Sequence, residues 1–201
     1  MNEKRMVETY EVQHAIQLGD KEVLFGIDRA NVETPYMVCN CNSDNPFGID
    51  QFFDAVGGDD YLELMGEFLT RVTAQLTAVK VEREAIPIPL SPLTAEQCMP
   101  NDYSESIEGK VVAIRPERLR PEYRTASNQL VLVTGGFGAS ANARGRAVYI
   151  ITLYSGQEAR WNREDILGVV KLDCLPQWAQ EKLGQIQARL PAEKRRNVPE
   201  R

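Results

Sequence analysis

The stretch DDYLELMGEFLTRVTAQLTAVKVEREAIPIPLSP, residues 59–92, decides the fold of this chain. Leu62, Met65, Phe68, Leu69, Val72, Leu76 and Val79 fall at steps of three and four and make one apolar stripe along an α-helix. Asp59 or Asp60 supplies the N-cap, and Asp60 with Glu63 has the spacing of a capping box. Pro87, Pro89 and Pro92 then forbid both helix and central strand. The pattern predicts a helix over residues 59–84 and a Pro-rich connector over 85–108, with one helical turn near 94–98.

Strands precede this helix. Residues 8–18 alternate polar and apolar, Gly19-Asp20 is a turn, and residues 21–27 pair back as a hairpin. Residues 35–41, PYMVCNC, form a third strand, and residues 42–58 read as an ordered loop that pins Phe47, Ile49, Phe52 and Phe53 to the core. After the connector come GKVVAI at 109–114, QLVLVT at 129–134, AVYIITLY at 147–154, the segment 157–162 and ILGVVKL at 166–172. Five short strands so close together suggest a small antiparallel barrel that hides its own sheet edges. Leu175, Trp178, Leu183, Ile186 and Leu190 mark a final helix, and Pro191 is expected to end it.

The expected fold class is therefore α+β: an N-terminal antiparallel sheet with one long helix, then a small SH3-like β-barrel and a C-terminal helix. The expected divisions are an α+β unit at 1–84, the connector at 85–108, a barrel-like unit at 109–172, a helix at 173–190 and a charged tail at 191–201.

Charge is sorted along the chain. Residues 1–108 hold 7 Lys+Arg against 20 Asp+Glu, a net of −13, whereas residues 109–163 hold 9 against 3, a net of +6. Such asymmetry is an argument about partners, not about fold. The 43% hydrophobic content is enough for a core. No apolar run approaches the roughly 18 residues of a membrane span. The polar start has no apolar secretory core, and four cysteines do not make a disulfide scaffold in a chain this long. A cytoplasmic protein that does not engage membranes is expected.

No catalytic motif stands out. The loop GGFGASANARGR, residues 135–146, lacks the Lys-Ser/Thr pair and the following helix of a phosphate loop. Residues 135–145 are either a flexible hairpin connection or a loop that contacts a polyanion or protein. Cys39 and Cys41 share one strand face, but with His14 as the only histidine they make a weak zinc set, so no metal and no cofactor is expected. Cys174 has no second histidine to act as its base. The chain is read as non-enzymatic.

Arg115, Arg118, Arg120 and Arg124 cluster between two strands, and Arg144, Arg146, Arg160 and Arg163 come later, with Tyr123, Phe137 and Trp161 among them. Basic residues with aromatics on a small barrel fit a groove for single-stranded nucleic acid, or a protein-docking surface. The sites expected to bind are Arg115, Arg118, Arg120, Arg124, Arg144, Arg146 and Trp161. Asp54, Asp59 and Asp60 mark an acidic surface able to imitate a phosphate array, with binding weakened by salt.

The strings PYMVCNCNSDNPFG (35–48), AVGGDDYLELMGEFLTRV (55–72), SIEGKVVAI (106–114), NQLVLVTGGFGASANARGRAVY (128–149) and RWNREDILGVVK (160–171) together resemble an uncharacterised protein family carried on bacterial conjugative and integrative elements. The resemblance implies context only: an accessory role in transfer, upkeep or defence against host nucleases. The expected function is an anti-defence protein that engages a nucleic-acid-handling host enzyme, for example a CRISPR effector. The alternatives are direct binding of single-stranded or structured nucleic acid by the barrel, and a metal-dependent hydrolase.

Overall fold

A computed structural model describes residues 4–42 and 49–196, and the chain divides into two compact units, Met1–Ile86 and Pro87–Arg201. It is an α+β protein with two antiparallel sheets.

The first sheet runs in chain order: β1 (Met6–Val7), β2 (Tyr10–Leu18), β3 (Lys21–Ile27), β4 (Tyr36–Asn42) and β5 (Gln51–Gly58). Gly19 sits at φ +62°, the left-handed conformation that the Leu18–Lys21 hairpin needs. Alternation along β3 and β4 buries both faces. Val23, Phe25 and Val38 meet Leu64 and Phe68 of helix α1 (Tyr61–Glu84). Leu24, Met37, Cys39 and Cys41 pack with Val7 on the other face. Asp60 caps α1, its carboxylate accepting from the Leu62 and Glu63 amides at 2.8 and 3.1 Å.

Two expectations for this unit fail. The described part of 42–58 is not a loop. Residues 51–58 form an edge strand, on which Phe52 and Phe53 are 41% and 36% exposed, and Phe47 lies outside the described residues. Asp54 at φ +53° beside a bulge in the β4–β5 pairing lets a polar, Gly-rich segment join the sheet without clean alternation. Nor does the α1 stripe bury as one. Met65, Phe68, Val72 and Val79 face the sheet, while Leu62, Leu69 and Leu76 form a second line that is 77%, 55% and 39% exposed.

The second sheet comprises β6 (Cys98–Pro100), β7 (Val111–Ile114), β8 (Leu130–Gly135), β9 (Ala147–Thr152), β10 (Glu158–Asn162) and β11 (Ile166–Val170), in the order β10-β9-β8-β7-β11-β6. Leu130, Leu132 and Ile151 face Leu175, Ala179 and Ile186 around helix α3 (Gln177–Arg196), α2 being the short turn Ala126–Gln129. Val131, Val133, Val148 and Ile150 face the opposite way, with Ile107 and Ala139. A bulge between Ile166 and Gly168 switches the parity of β11, so Ile166 and Val169 join one core and Leu167 and Val170 the other.

Residues 87–108 are not a free connector. Leu93, Cys98 and Ile107 are buried, and β6 is the sixth strand of the sheet. The fully buried Gln129 holds this segment: its Oε1 accepts from the Leu93 amide at 2.7 Å and its Nε2 donates to the Ile114 carbonyl at 3.0 Å. The final helix also continues through Pro191 to Arg196. Proline removes one helical hydrogen bond, but its fixed φ of about −65° is itself helical.

Candidate functional site

The turn at 163–165 organises the surface of the second unit. Arg163, expected among the exposed basic residues, is 1% exposed. Its Nε donates to Asn101 Oδ1 at 2.8 Å, Nη2 to the Asp102 and Glu105 carbonyls at 2.8 and 3.2 Å, and Nη1 to the Gly138 carbonyl at 3.1 Å. Its guanidinium lies 5.0 Å from the Tyr103 ring centroid. Burial pushes the Arg163 pKa below the ordinary arginine value, against the pull of Tyr103 and Asp102. One side chain therefore ties segment 101–105 to the Gly-rich loop.

That loop is anchored, not slack. The Ala139 carbonyl accepts from the Ile107 amide at 2.8 Å, and the Asn142 amide donates to the Tyr103 carbonyl at 2.7 Å. Gly136 sits at φ +107°, where an added Cβ would meet the Ala147 carbonyl oxygen at 2.5 Å, and a Cβ at Gly138 would strike the Arg146 carbonyl. The glycines are required by close backbone approach. Between them Phe137 is 83% exposed, and its Cβ lies close to Gly145, whose chain neighbours Arg144 and Arg146 are exposed.

The structure brings Arg115, Arg118 and Arg146 together around Glu164 and Asp165. Arg118 Nε is 2.9 Å from Asp165 Oδ1, Arg146 Nη1 is 3.7 Å from Glu164 Oε1, and Arg115 Nε donates to the Glu164 carbonyl at 3.0 Å. Arg118 and Arg146 thus face carboxylates of their own unit, and Arg115 a backbone carbonyl. Arg124 Nε donates to the Leu119 carbonyl at 3.3 Å, which closes the two short turns holding Arg118, Arg120 and Arg124. Trp161, expected as an aromatic contact, is half-buried and packs against the core that includes Val148 and Ile166. Phe137, at 83% exposure, reaches further into solvent than Tyr149 or Tyr103. Its position between two glycines, with no strand periodicity to bury it, is the signal the sequence offers.

The charge pattern also changes once the units are known. Residues 1–86 carry 16 Asp+Glu against 7 Lys+Arg, a net of −9, and residues 87–201 carry 13 against 16, a net of +3. Four carboxylates of the supposed connector thus belong to the basic unit and dilute it. Of the acidic candidates, Asp60 serves as the helix cap, and Asp54 accepts from Asn40 Nδ2 at 3.3 Å while its carbonyl accepts from Arg71 Nη1 at 2.6 Å. Asp59 is exposed beside them.

Of the remaining candidates, Cys39 and Cys41 are buried and His14 is exposed. Burial, and then the neighbouring Cys41, push the Cys39 thiol up to about 11, away from nucleophilic use at neutral pH. His14 lies 6.1 and 6.2 Å from the Phe25 and Phe68 rings. Among the described residues, no three of His, Cys, Asp and Glu are placed to hold a metal ion, and no helix is long and apolar enough to cross a membrane. No protein-family model, curated protein or solved structure matches the chain.

Proposed function

We propose that this chain is a non-enzymatic binding protein that docks onto a protein partner through the Gly-rich loop of its second unit. Phe137 is the anchor, and Arg144 and Arg146 are the polar contacts beside it. The observation that carries this reading is the 83% exposure of Phe137 on a loop whose backbone is pinned through Arg163. A large aromatic held in water by a fixed loop, with arginines beside it, is the composition of an interface hot spot. The pairing of Arg118 with Asp165 and of Arg146 with Glu164 favours a mixed-charge protein surface over a bare phosphate track. The resemblance to mobile-element families and the net −9 of the first unit support a nucleic-acid-handling enzyme as the partner class, engaged in the cytoplasm as part of an anti-defence role.

Direct binding of single-stranded nucleic acid by an SH3-like barrel is the second reading. The turn between β10 and β11 supports such curvature. Asn162 and Ile166 can lie at most about 14 Å apart along the chain. Strands four places apart in a flat sheet would be about 19 Å apart. Exposed Tyr149 lies directly opposite exposed Arg160 on β9 and β10, a pair on which a base could stack.

Pull-down from a bacterial host lysate, with and without nuclease, tests the first reading against Phe137→Ala. Capture of a specific protein that survives nuclease and falls about 30-fold or more in Phe137→Ala, at unchanged melting temperature, is the expected result. Equal capture by the variant overturns it. A gel shift of labelled oligonucleotide that collapses with added salt and is lost in Tyr149→Ala would favour the second reading.

A further inference from the structure

Strand β10 is one edge of the second sheet, and it keeps a short row of main-chain groups unpaired. The Thr152 amide donates to the Gln157 carbonyl at 2.9 Å, and the Arg163 amide to the Arg146 carbonyl at 2.8 Å. These two bonds fix the phase of the β9–β10 ladder. Residues 157, 159, 161 and 163 exchange hydrogen bonds with β9, and residues 158, 160 and 162 turn their groups outward. The Asn162 amide donates to Asp165 Oδ2 at 3.0 Å, which closes that end of the row. The amides and carbonyls of Glu158 and Arg160 have no partner among the described residues, and Glu158, Ala159 and Arg160 are all exposed. A strand edge in this state is a template for another strand.

Charge selects that strand. Glu158 and Arg160 are the ionisable residues of β10, they stand on one face of it, and neither makes an ion pair among the described residues. Two copies of β10 set antiparallel about an axis at Ala159 place Glu158 opposite Arg160 of the second copy, in both directions. Unlike charges are then neighbours along each strand and across the junction, and like charges meet only on the diagonals. An axis at residue 158 would oppose two glutamates, an axis at residue 160 two arginines, and a parallel copy in register would set like beside like. The other pairs are neutral: Ala159 meets Ala159, and Gln157 meets Trp161.

The main chain selects the same register. Glu158 and Arg160 are the residues whose groups turn outward, so each Glu158–Arg160 pair exchanges both of its amide–carbonyl bonds. The space beside Glu158 is open: a groove of about 430 Å³ lined by Thr134, Tyr149, Ile150, Ile151, Glu158 and Ala159 borders the edge and leaves room for an incoming arginine. We propose that β10 is a homodimer seam, in which two copies of this chain join their second sheets antiparallel about a twofold axis at Ala159. The seam does not use Phe137 and stands whether or not the Gly-rich loop docks a partner.

Sedimentation equilibrium of the full chain over a range of concentrations tests this, with circular dichroism confirming the fold of each variant. A weak, concentration-dependent dimer is expected. Glu158→Arg and Arg160→Glu should each weaken it about fivefold or more, since each sets two like-charged pairs across the seam, and the two reversals combined should restore it. Glu158→Pro removes an outward amide at the first residue of the strand, where proline is tolerated, and should weaken the dimer about tenfold. A monomer at every concentration reached overturns the proposal, as does a dimer indifferent to both single reversals. Failure of the double reversal to restore pairing overturns the register at Ala159.

Discussion

Arg163 shows how far one side chain can depart from its composition class. In the sequence it is one of nine cations between residues 109 and 163. In the fold it is an interior knot that saturates carbonyls 58 to 61 residues away, at Glu105 and Asp102, and 25 away at Gly138. Nothing local announces this, because its acceptors are backbone oxygens brought in by distant loops. Replacing it removes the donor to the buried Gly138 bond and to the part-buried Asp102 and Glu105 carbonyls. Arg163→Met should lower the unfolding free energy by on the order of 3 kcal/mol, seen as a lower urea midpoint. Arg160→Met on the exposed part of β10 should leave that midpoint nearly unchanged.

At the scale of elements, the strongly periodic segments are legible in the sequence. β2, β3, β4 and β7–β11 stand within a few residues of their expected positions, and α1 begins at its acidic cap and ends before the prolines. Three features are not legible. β5 has no clean alternation because it is an edge strand with a bulge. β6 is three residues long and ends in proline, which only an edge strand accommodates. The α1 stripe conceals two surfaces, since a seven-residue repeat looks the same whether it is buried or exposed. Of the site, the Gly-rich loop and its arginines stand out from composition alone. The choice between Trp161 and Phe137 is not settled by sequence, because both lie among basic residues. β6 owes its place to Gly168, where an added Cβ would meet the Met99 carbonyl oxygen. Gly168→Ala should cost about 2 kcal/mol and speed amide exchange along residues 98–100 and 168–170.

At the scale of the molecule, the boundary falls at Ile86, before the prolines, and residues 87–108 supply core side chains to the second unit. Residues 87–201 expressed alone should melt as one cooperative transition by circular dichroism. Residues 109–201 should not, having lost Leu93, Cys98, Ile107 and the Asn101 that holds Arg163. A cooperative transition in the shorter fragment would show that the Pro-rich segment is a passive tether after all.

The bond from Arg163 to the Gly138 carbonyl has one more consequence. A loop frozen by its own interior sheds little conformational freedom when something settles on it, so association is spared most of the ordering entropy that a slack hairpin would impose. A partner docking there as proposed would meet an already ordered surface, and would itself have to supply most of the adaptation the complex required.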